Sequence, residues 1–362
     1  MHIIHVFLIQ DLAIINRNQP LQLNIAVFLL YNIYIKKYYI GGFMSLSNIF
    51  KMGDSFQGKH GYYTIIKKLG NGGNGTAYLA VCTSGIYCGC YFVIKFLYKI
   101  NDEERLSRFK REIEFLSTAN HPSIIKLYES GEFKYKSSLL PYYIMEYLPR
   151  SLENELCNGK LPLEKAFLYS TQLLSAIKYL QDKGVVHRDI KPENIFINEN
   201  HAILADFGLI KDISKAAHIG ESERQDLEES IFSNISNGDA MPYNYRTPQL
   251  VRYLNKEGPL DPKTDIFQLG ITFMRMFSGQ HPLVPTGDSG KNSSVDFKYP
   301  PSTRYNCFRH LSFKKLIIDL LDGMINEDES KILPIDTLLS SSIGTFRKYL
   351  KDKFHLDGDI LK

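Results

Sequence analysis

Apolar positions change their period along this chain, and the change divides it. Between residues 62 and 148, short β-prone runs alternate with turn residues, so YTIIKKL, TAYLAVC, CYFVIKF and YYIMEYL each read as a strand. One stretch in that half, 102–117, mixes charged and apolar positions at helical spacing and stops at Asn120 and Pro122, which predicts a single helix. Past it, LEKAFLYSTQLLSAIKYLQDKG reads as a long amphipathic helix closed by Gly184, and DIFQLGITFMRMFSG and HLSFKKLIIDLLDGMI read the same way. The pattern therefore predicts a stranded half with one helix, then a helical half, with no internal repeat.

The first 43 residues fit neither pattern. They are rich in Ile, Leu, Phe, Tyr and Asn, nearly devoid of acids, and hold an apolar run over 21–35 ahead of Lys36 and Lys37. That run is short for a membrane span and is interrupted by Asn24 and Asn32. Its basic residues follow the apolar run, the reverse of a signal peptide. Met44 opens a more ordinary globular sequence, so the expected natural start is Met44, with a membrane-surface anchor or an ordered extension as the alternatives. Membrane contact is expected only if residues 1–43 belong to the native protein.

A length of 362 residues allows one bilobal domain or two small ones. The net charge of +4, with basic residues interspersed among acids, leaves no electrostatic footprint for nucleic acid. Five cysteines, an odd number without a secretory pattern, argue against a disulfide framework and for a reducing, cytoplasmic setting. Cys82, Cys88 and Cys90 fall close together. Two strands facing each other across a turn account for this cluster more simply than a metal knuckle, which needs about four spaced ligands.

Candidate chemistry begins at the glycines. Gly70, Gly72 and Gly75 form GxGxxG, with Asn71, Gly73 and Asn74 between them, and small residues there let backbone N–H groups approach phosphate oxygens. A dinucleotide fingerprint needs a helix directly after the glycines, whereas TAYLAV is a strand. On this motif alone a glycine-rich hairpin without a ligand is the other reading. Lys95 closes FVIK on the third strand, where a half-buried ammonium calls for an anion, and Glu112 on the following helix is the natural partner. Then come His187-Arg188-Asp189-Ile190-Lys191-Pro192-Glu193-Asn194 and, about a dozen residues on, Asp206-Phe207-Gly208.

With HRDIKPEN and DFG in that order after the glycine loop and Lys95, the sequence resembles the eukaryotic-type protein kinases, Ser/Thr-specific, from the glycine loop to the last helices. The resemblance implies an α+β, bilobal fold, with a small antiparallel β-sheet N-lobe carrying one main helix and a larger, mainly α-helical C-lobe. It sets expected boundaries: 1–43 as an apolar extension, 44–61 as a linker, 62–148 as N-lobe and hinge, 149–350 as C-lobe, and 351–362 as a tail. ATP and Mg²⁺ are the implied cofactors, and a protein with a serine or threonine acceptor is the implied partner. Lys95, held by Glu112, would grip the α- and β-phosphates, Asn194 and Asp206 would ligate Mg²⁺, and the glycine loop would cover the phosphates. Asp189 would accept the proton of the incoming hydroxyl and Lys191 would offset charge on the transferring phosphate, its place two residues after Asp189 accompanying Ser/Thr specificity. Met145 corresponds to the gatekeeper and Glu146, Tyr147 and Leu148 to the hinge, and Ala77, Val93 and Phe196 would line a repacked adenine slot.

Several positions depart from the family. YRTPQL stands where APE is usual, so Gln249 replaces a glutamate that normally pairs with a late arginine, and Ile332 falls at the arginine's place unless Lys331 has taken its role. Pro242 lies near the place of a substrate-side threonine. Asp265 resembles the buried aspartate that ties a central helix to the catalytic loop, with Phe267 where a tryptophan is usual. Leu116, His187 and Phe207 would stack as a hydrophobic spine. In the long segment 206–249, Arg188 and Lys211 are expected to form a basic pocket for a phosphoserine, with Ser222, Ser230, Ser233 and Ser236 as candidates. A nucleotide-binding scaffold with weak or no transfer activity is the alternative, favoured by the altered YRTPQL region and the repacked slot.

Overall fold

The computed structural model describes residues 49–72, 75–213, 223–227, 245, 247–281, 308, 313–326 and 328–355. The extension 1–43, Gly73 and Asn74, Pro242 and the four candidate serines lie outside the described residues. The chain divides into two compact units, one of residues up to Tyr98 plus Tyr128–Tyr147, the other of Lys99–Leu127 plus everything from Leu148.

The first unit is a six-stranded sheet in the order β1-β2-β3-β4-β6-β5. Its strands are β1 Ser55–Gln57, β2 Tyr62–Gly72, β3 Gly75–Cys82, β4 Tyr91–Phe96, β5 Leu127–Tyr135 and β6 Ser138–Glu146. The stretch expected as a linker thus supplies an edge strand, paired antiparallel to β2 with Ser55 opposite Thr64. Side chains alternate across a sheet, and here the two faces differ in kind. Tyr78, Ala80 and Cys82 on β3, Phe92, Ile94 and Phe96 on β4, and Tyr142 and Ile144 on β6 form one buried cluster with Phe50, Phe56, Tyr63 and Ile65. Phe50 packs at ring-centroid distances of 5.1 Å from Phe96 and 5.0 Å from Phe133, and edge-on to Tyr78 at 5.8 Å, which fastens residues 49–50 to the sheet.

Beneath this aromatic cluster lies a buried carboxylate, Glu129, with two donors on each oxygen. Lys59 N–H and the Tyr142 hydroxyl donate to Oε1 at 3.0 and 3.0 Å, and His60 N–H and the Tyr63 hydroxyl to Oε2 at 3.1 and 3.1 Å. Burial, followed by the charge of Glu129, pushes both tyrosine hydroxyls far above their ordinary titration range, so they stay neutral donors. Gly58 permits this approach, since a Cβ there would lie 2.4 Å from Glu129 Oε1.

The second unit is helical. Its helices are α1 Glu103–Thr118, α2 Leu152–Leu156, α3 Leu163–Asp182, α4 Pro248–Leu254, α5 Lys263–Ser278, α6 Lys314–Asp322 and α7 Ile335–Phe354, with a further helical turn at 223–227. Two-stranded ladders join β7 Val185–Val186 to β10 Lys211–Asp212 and β8 Ile195–Asn198 to β9 His201–Leu204. Asp102 caps α1 by accepting from Arg105 N–H at 3.0 Å, and Gly184, at φ +68°, ends α3 as its sequence predicts. α5 is buried along almost its whole length. α7 packs on α3 through Phe167 and Tyr349, 5.3 Å apart, and a 2.8 Å hydroxyl pair of Thr171 and Ser342. α1, predicted within the stranded half, packs with the helical unit because Phe115 stacks on Phe207 at 5.1 Å. Among the described residues no helix is long and apolar enough to cross a membrane.

An amide at 129 would turn one NH2 toward two of the four donors. Glu129→Gln is therefore expected to cost about 2–3 kcal/mol, read as a lower urea midpoint at unchanged slope, and an unaltered midpoint would refute this role.

Candidate active site

The loop 187–194 is fixed before any side chain of it faces a ligand. Arg188 holds a left-handed backbone, φ +72°, a conformation costly for a side-chain-bearing residue. Asp265, at the start of α5 and wholly buried, accepts from His187 N–H at 2.7 Å and Arg188 N–H at 2.8 Å. One helical turn on, Gln268 accepts from Ile190 N–H at 2.9 Å and donates to the carbonyls of Arg188 and Tyr245, both at 3.0 Å. Burial pushes the Asp265 carboxyl up to about 7, against the pull of those two N–H groups and of the Arg188 charge.

His187 orients the residue after next. Its Nε2 lies 3.2 Å from the Ala205 carbonyl, which can only accept, so the proton sits on Nε2 and Nδ1 accepts from Asp189 N–H at 3.3 Å. Burial holds the ring's pKa below its usual value, consistent with that neutral tautomer. Its ring meets Phe207 edge-on at 4.8 Å. Phe207 in turn stacks on Phe115, while Leu116 is buried nearby in sequence.

On this frame three expected site residues meet. Asp189 Oδ1 lies 3.0 Å from Lys191 Nζ, and Oδ2 accepts from Asn194 Nδ2 at 2.7 Å, with a second bond from Nδ2 to the Asp189 carbonyl at 2.9 Å. Burial works against the Lys191 charge, but the adjacent Asp189 outweighs it and holds the ammonium above its ordinary value. The turn Pro192–Asn194 sets Asn194, whose carbonyl accepts from Ala205 N–H at 2.9 Å, so Asp206 follows directly on a residue pinned to Asn194. Asp206 is exposed, at φ +59°. The Asp206 carboxylate and the oxygen of the Asn194 amide, whose nitrogen is turned to Asp189, are both hard oxygen donors of the kind Mg²⁺ takes. Among the described residues no group of three or more His, Cys, Asp or Glu could hold a metal by itself. Cys82, Cys88, Cys90 and Cys157 are free thiols, and Cys82 and Cys90 sit across from each other, joined by Cys82 N–H to the Cys90 carbonyl at 2.9 Å.

In the sheet unit, register assembles a second group. Ala77 pairs with Lys95 and Lys95 with Tyr143, while Leu79 pairs with Val93 and Val93 with Met145. Alternation places all six on the face opposite the aromatic cluster. The Lys95 ammonium stands 5.6 Å from the centre of the Tyr143 ring. The ladder of β2 and β3 runs to the pair Gly72–Gly75, and a Cβ on Gly75, at φ +130°, would lie 2.2 Å from the Phe96 carbonyl oxygen. Glu146 ends β6, Tyr147 is half-buried, and Leu148 is buried. Glu112 is fully buried on α1, and Phe196 is half-buried on β8.

Some of the reading changes. The Arg188 and Lys211 pocket expected for a phosphoserine holds the carboxylate of Glu223. Lys331 has not taken the missing arginine's role, since it is exposed and pairs with Asp328 at 3.3 Å, while Ile332 is buried. Gln249 is also buried, and neither amide atom meets a hydrogen-bond partner among the described residues. Sequence reasoning missed Gln268, although its spacing of three from Asp265 puts it on the same helix face.

Residues 63–342 match the family model of the protein kinase domain. The chain is 28% identical over 306 residues to CBL-interacting serine/threonine-protein kinase 18 of Arabidopsis thaliana, covering 83% of this chain and 52% of that protein. It is 29% identical over 254 residues to serine/threonine-protein kinase PrkC of Bacillus subtilis, covering 68% and 35%. To serine/threonine-protein kinase PknB of Mycobacterium leprae it is 27% identical over 207 residues, covering 55% and 30%. The chain spans about half the length of the plant relatives it matches.

Two stability measurements follow from these burials. Gln249→Met removes two orphaned polar atoms at similar volume and is expected to raise stability by about 1 kcal/mol or more, and a destabilised variant in urea melts would show that the amide has partners. For Asp265, the folded carboxyl keeps its proton up to about 7 whereas the unfolded one releases it near 3.8, so the folded state binds the extra proton between those values. Wild-type stability, measured relative to Asp265→Asn, should therefore fall by about 4 kcal/mol as pH rises through that window and level off above it. A flat difference would mean that Asp265 is ionised throughout.

Proposed function

The chain belongs to the protein kinase family, and we propose that it transfers the γ-phosphoryl group of ATP to serine or threonine hydroxyls of protein substrates. The observation that carries this reading is the convergence of Asp189, Lys191 and Asn194 on a backbone fixed by Asp265 and Gln268. Phosphoryl transfer asks a protein for positioning and charge neutralisation more than for covalent chemistry, and each of these side chains meets one of those needs.

In this reading the substrate hydroxyl gives its proton to Asp189, which the Lys191 ammonium and the Asn194 amide hold in one rotamer. Lys191 also faces the phosphoryl group as negative charge moves onto its oxygens. Asn194 and Asp206 would hold Mg²⁺, which would offset the charge of the triphosphate. Lys95, partnered by Glu112, grips the α- and β-phosphates, and the glycine loop from Gly70 to Gly75 covers them with backbone N–H groups. Adenine lies against Ala77, Val93 and Phe196, beside Met145, and hydrogen-bonds the backbone of Glu146, Tyr147 and Leu148. The catalytic domain is taken to span 62–350, with 62–148 as N-lobe and hinge. The interspersed charge of the sequence supports a protein substrate over nucleic acid, and the four free thiols among the described residues support a cytoplasmic setting.

Incubation of the purified chain with Mg-ATP and casein tests the reading. Wild type should form acid-stable phosphoserine and phosphothreonine, and Asp189→Asn should lose about 100- to 10,000-fold in kcat. Asp206→Asn should lose activity together with Mg²⁺-dependent nucleotide binding. Wild type that binds ATP without transferring phosphate, with variants indistinguishable from it, would leave a binding protein instead of an enzyme.

A further inference from the structure

The helical unit contains a buried ion cluster that the transfer step does not use. Its centre is Glu223, in the turn 223–227 of the segment that follows Asp206. Glu223 is only 3% exposed, and its Oε1 lies 2.5 Å from Arg188 Nη1. Lys211 Nζ donates to both Glu223 oxygens at 3.1 and 3.1 Å and to the Tyr253 hydroxyl at 2.7 Å. The Arg188 guanidinium is also tied to the start of the segment, with Nε donating to the Leu209 carbonyl at 2.6 Å. On its other side the turn is gripped by α1. Glu223 N–H donates to Glu104 Oε1 at 2.6 Å, and Asp226 meets Arg105 Nη2 at 2.8 Å and Arg108 Nη2.

Two cations brought together out of water need an anion, because the cost of leaving a buried charge unpaired is several kcal/mol. The sequence suggests that a phosphoserine supplies it. Glu223 supplies it from the chain itself. Burial pushes its carboxyl up, yet the charges of Arg188 and Lys211 outweigh burial and hold it below its ordinary value, so it is ionised at neutral pH. Arg188 is the residue that needs a fixed side chain most, since its backbone is left-handed and the next residue is Asp189.

We propose that Glu223 is a positioning residue for the transfer reaction: it locks Arg188, and through it the Asp189 loop, so that the segment reaches its working conformation without being phosphorylated. Asp226 extends the lock to α1, the helix that carries Glu112. The proposal rests on the kinase reading and specifies its regulation.

The test uses the full chain, phosphatase-treated and shown by intact mass to carry no phosphate, beside a chain with the four candidate serines Ser222, Ser230, Ser233 and Ser236, and Ser214, the other serine of the segment 206–249, all changed to alanine. With casein as acceptor, both should keep kcat within about twofold of untreated wild type. Glu223→Gln should lower kcat by about 10- to 100-fold with the KM for ATP little changed, and Glu223→Asp should restore part of the loss, which a merely structural role would not do. Loss of activity on phosphatase treatment, or a rise in kcat in Glu223→Gln, overturns the proposal, the second result marking the contact as inhibitory. If Glu223→Gln does not fold, the phosphatase and alanine arms decide alone. Wild type inactive in every state sinks the kinase reading instead. In that case hydrogen exchange still judges the lock: protection at 223–227 that Asp226→Asn weakens supports it, and fast exchange in wild type refutes it.

Discussion

Asp265 is asked to satisfy two adjacent backbone N–H groups at once, and the residue that makes this necessary is Arg188. A left-handed arginine turns two successive amides the same way, which no ladder or helix can satisfy. A carboxylate at the first turn of a buried helix does so at the price of its own desolvation. Everything downstream inherits that geometry. The Asp189 carboxylate, the Lys191 ammonium and the Asn194 amide are side chains of the next few residues, and their mutual distances near 3 Å follow from where the loop leaves Asp265. Gln268 completes the frame one turn further along the same face, so α5 serves as a rigid ruler for the loop.

The sheet unit solves a different problem by parity alone. One set of alternating positions on β3, β4 and β6 is aromatic and aliphatic and closes over itself with Phe50 and Phe56. The other set carries Ala77, Val93, Lys95 and Met145. A slip of one residue in register would exchange the two sets, burying Lys95 in the aromatic cluster. The bulk of that cluster is thus what keeps the lysine on the opposite face, and the extra strand β1 with residues 49–50 adds to that bulk.

What could be read from the sequence depended on how local the signal was. Strand alternation, the long helical stripes, Gly184 and the run of motifs are each written within a few residues, and the elements formed where that pattern put them. Pairings between distant charges were not legible. Glu129 sits in LYESGEFKY, where nothing in the local pattern sets it apart from Glu132, and only the fold brings Lys59, His60, Tyr63 and Tyr142 to it. Glu223 and Asp226 lie in an acidic stretch that reads as a solvated loop, yet both are buried because α1 and the Arg188 loop present cations to them. α1 stands in the stranded half by its place in the chain, and its contacts with Phe207 and the turn 223–227, about a hundred residues later, carry no local signal.

The end of the segment, at Gln249, is held without a buried ion pair among the described residues. An acid at position 249 would need a cation beside it, but Ile332, expected at the place of its usual partner, packs as a buried apolar residue. α4 is attached to residues 328–331 by charges at the surface, Arg252 on α4 with Glu329, whose carbonyl also accepts from Lys263 Nζ at 2.7 Å. Surface pairs are individually weak, so the attachment costs little desolvation and contributes little energy. Inside sits Gln249, whose amide atoms meet no hydrogen-bond partner among the described residues. A buried amide without partners costs more than an apolar side chain of its size, so Gln249 weakens this end of the segment, whereas Arg188 and Lys211 hold the segment at Glu223.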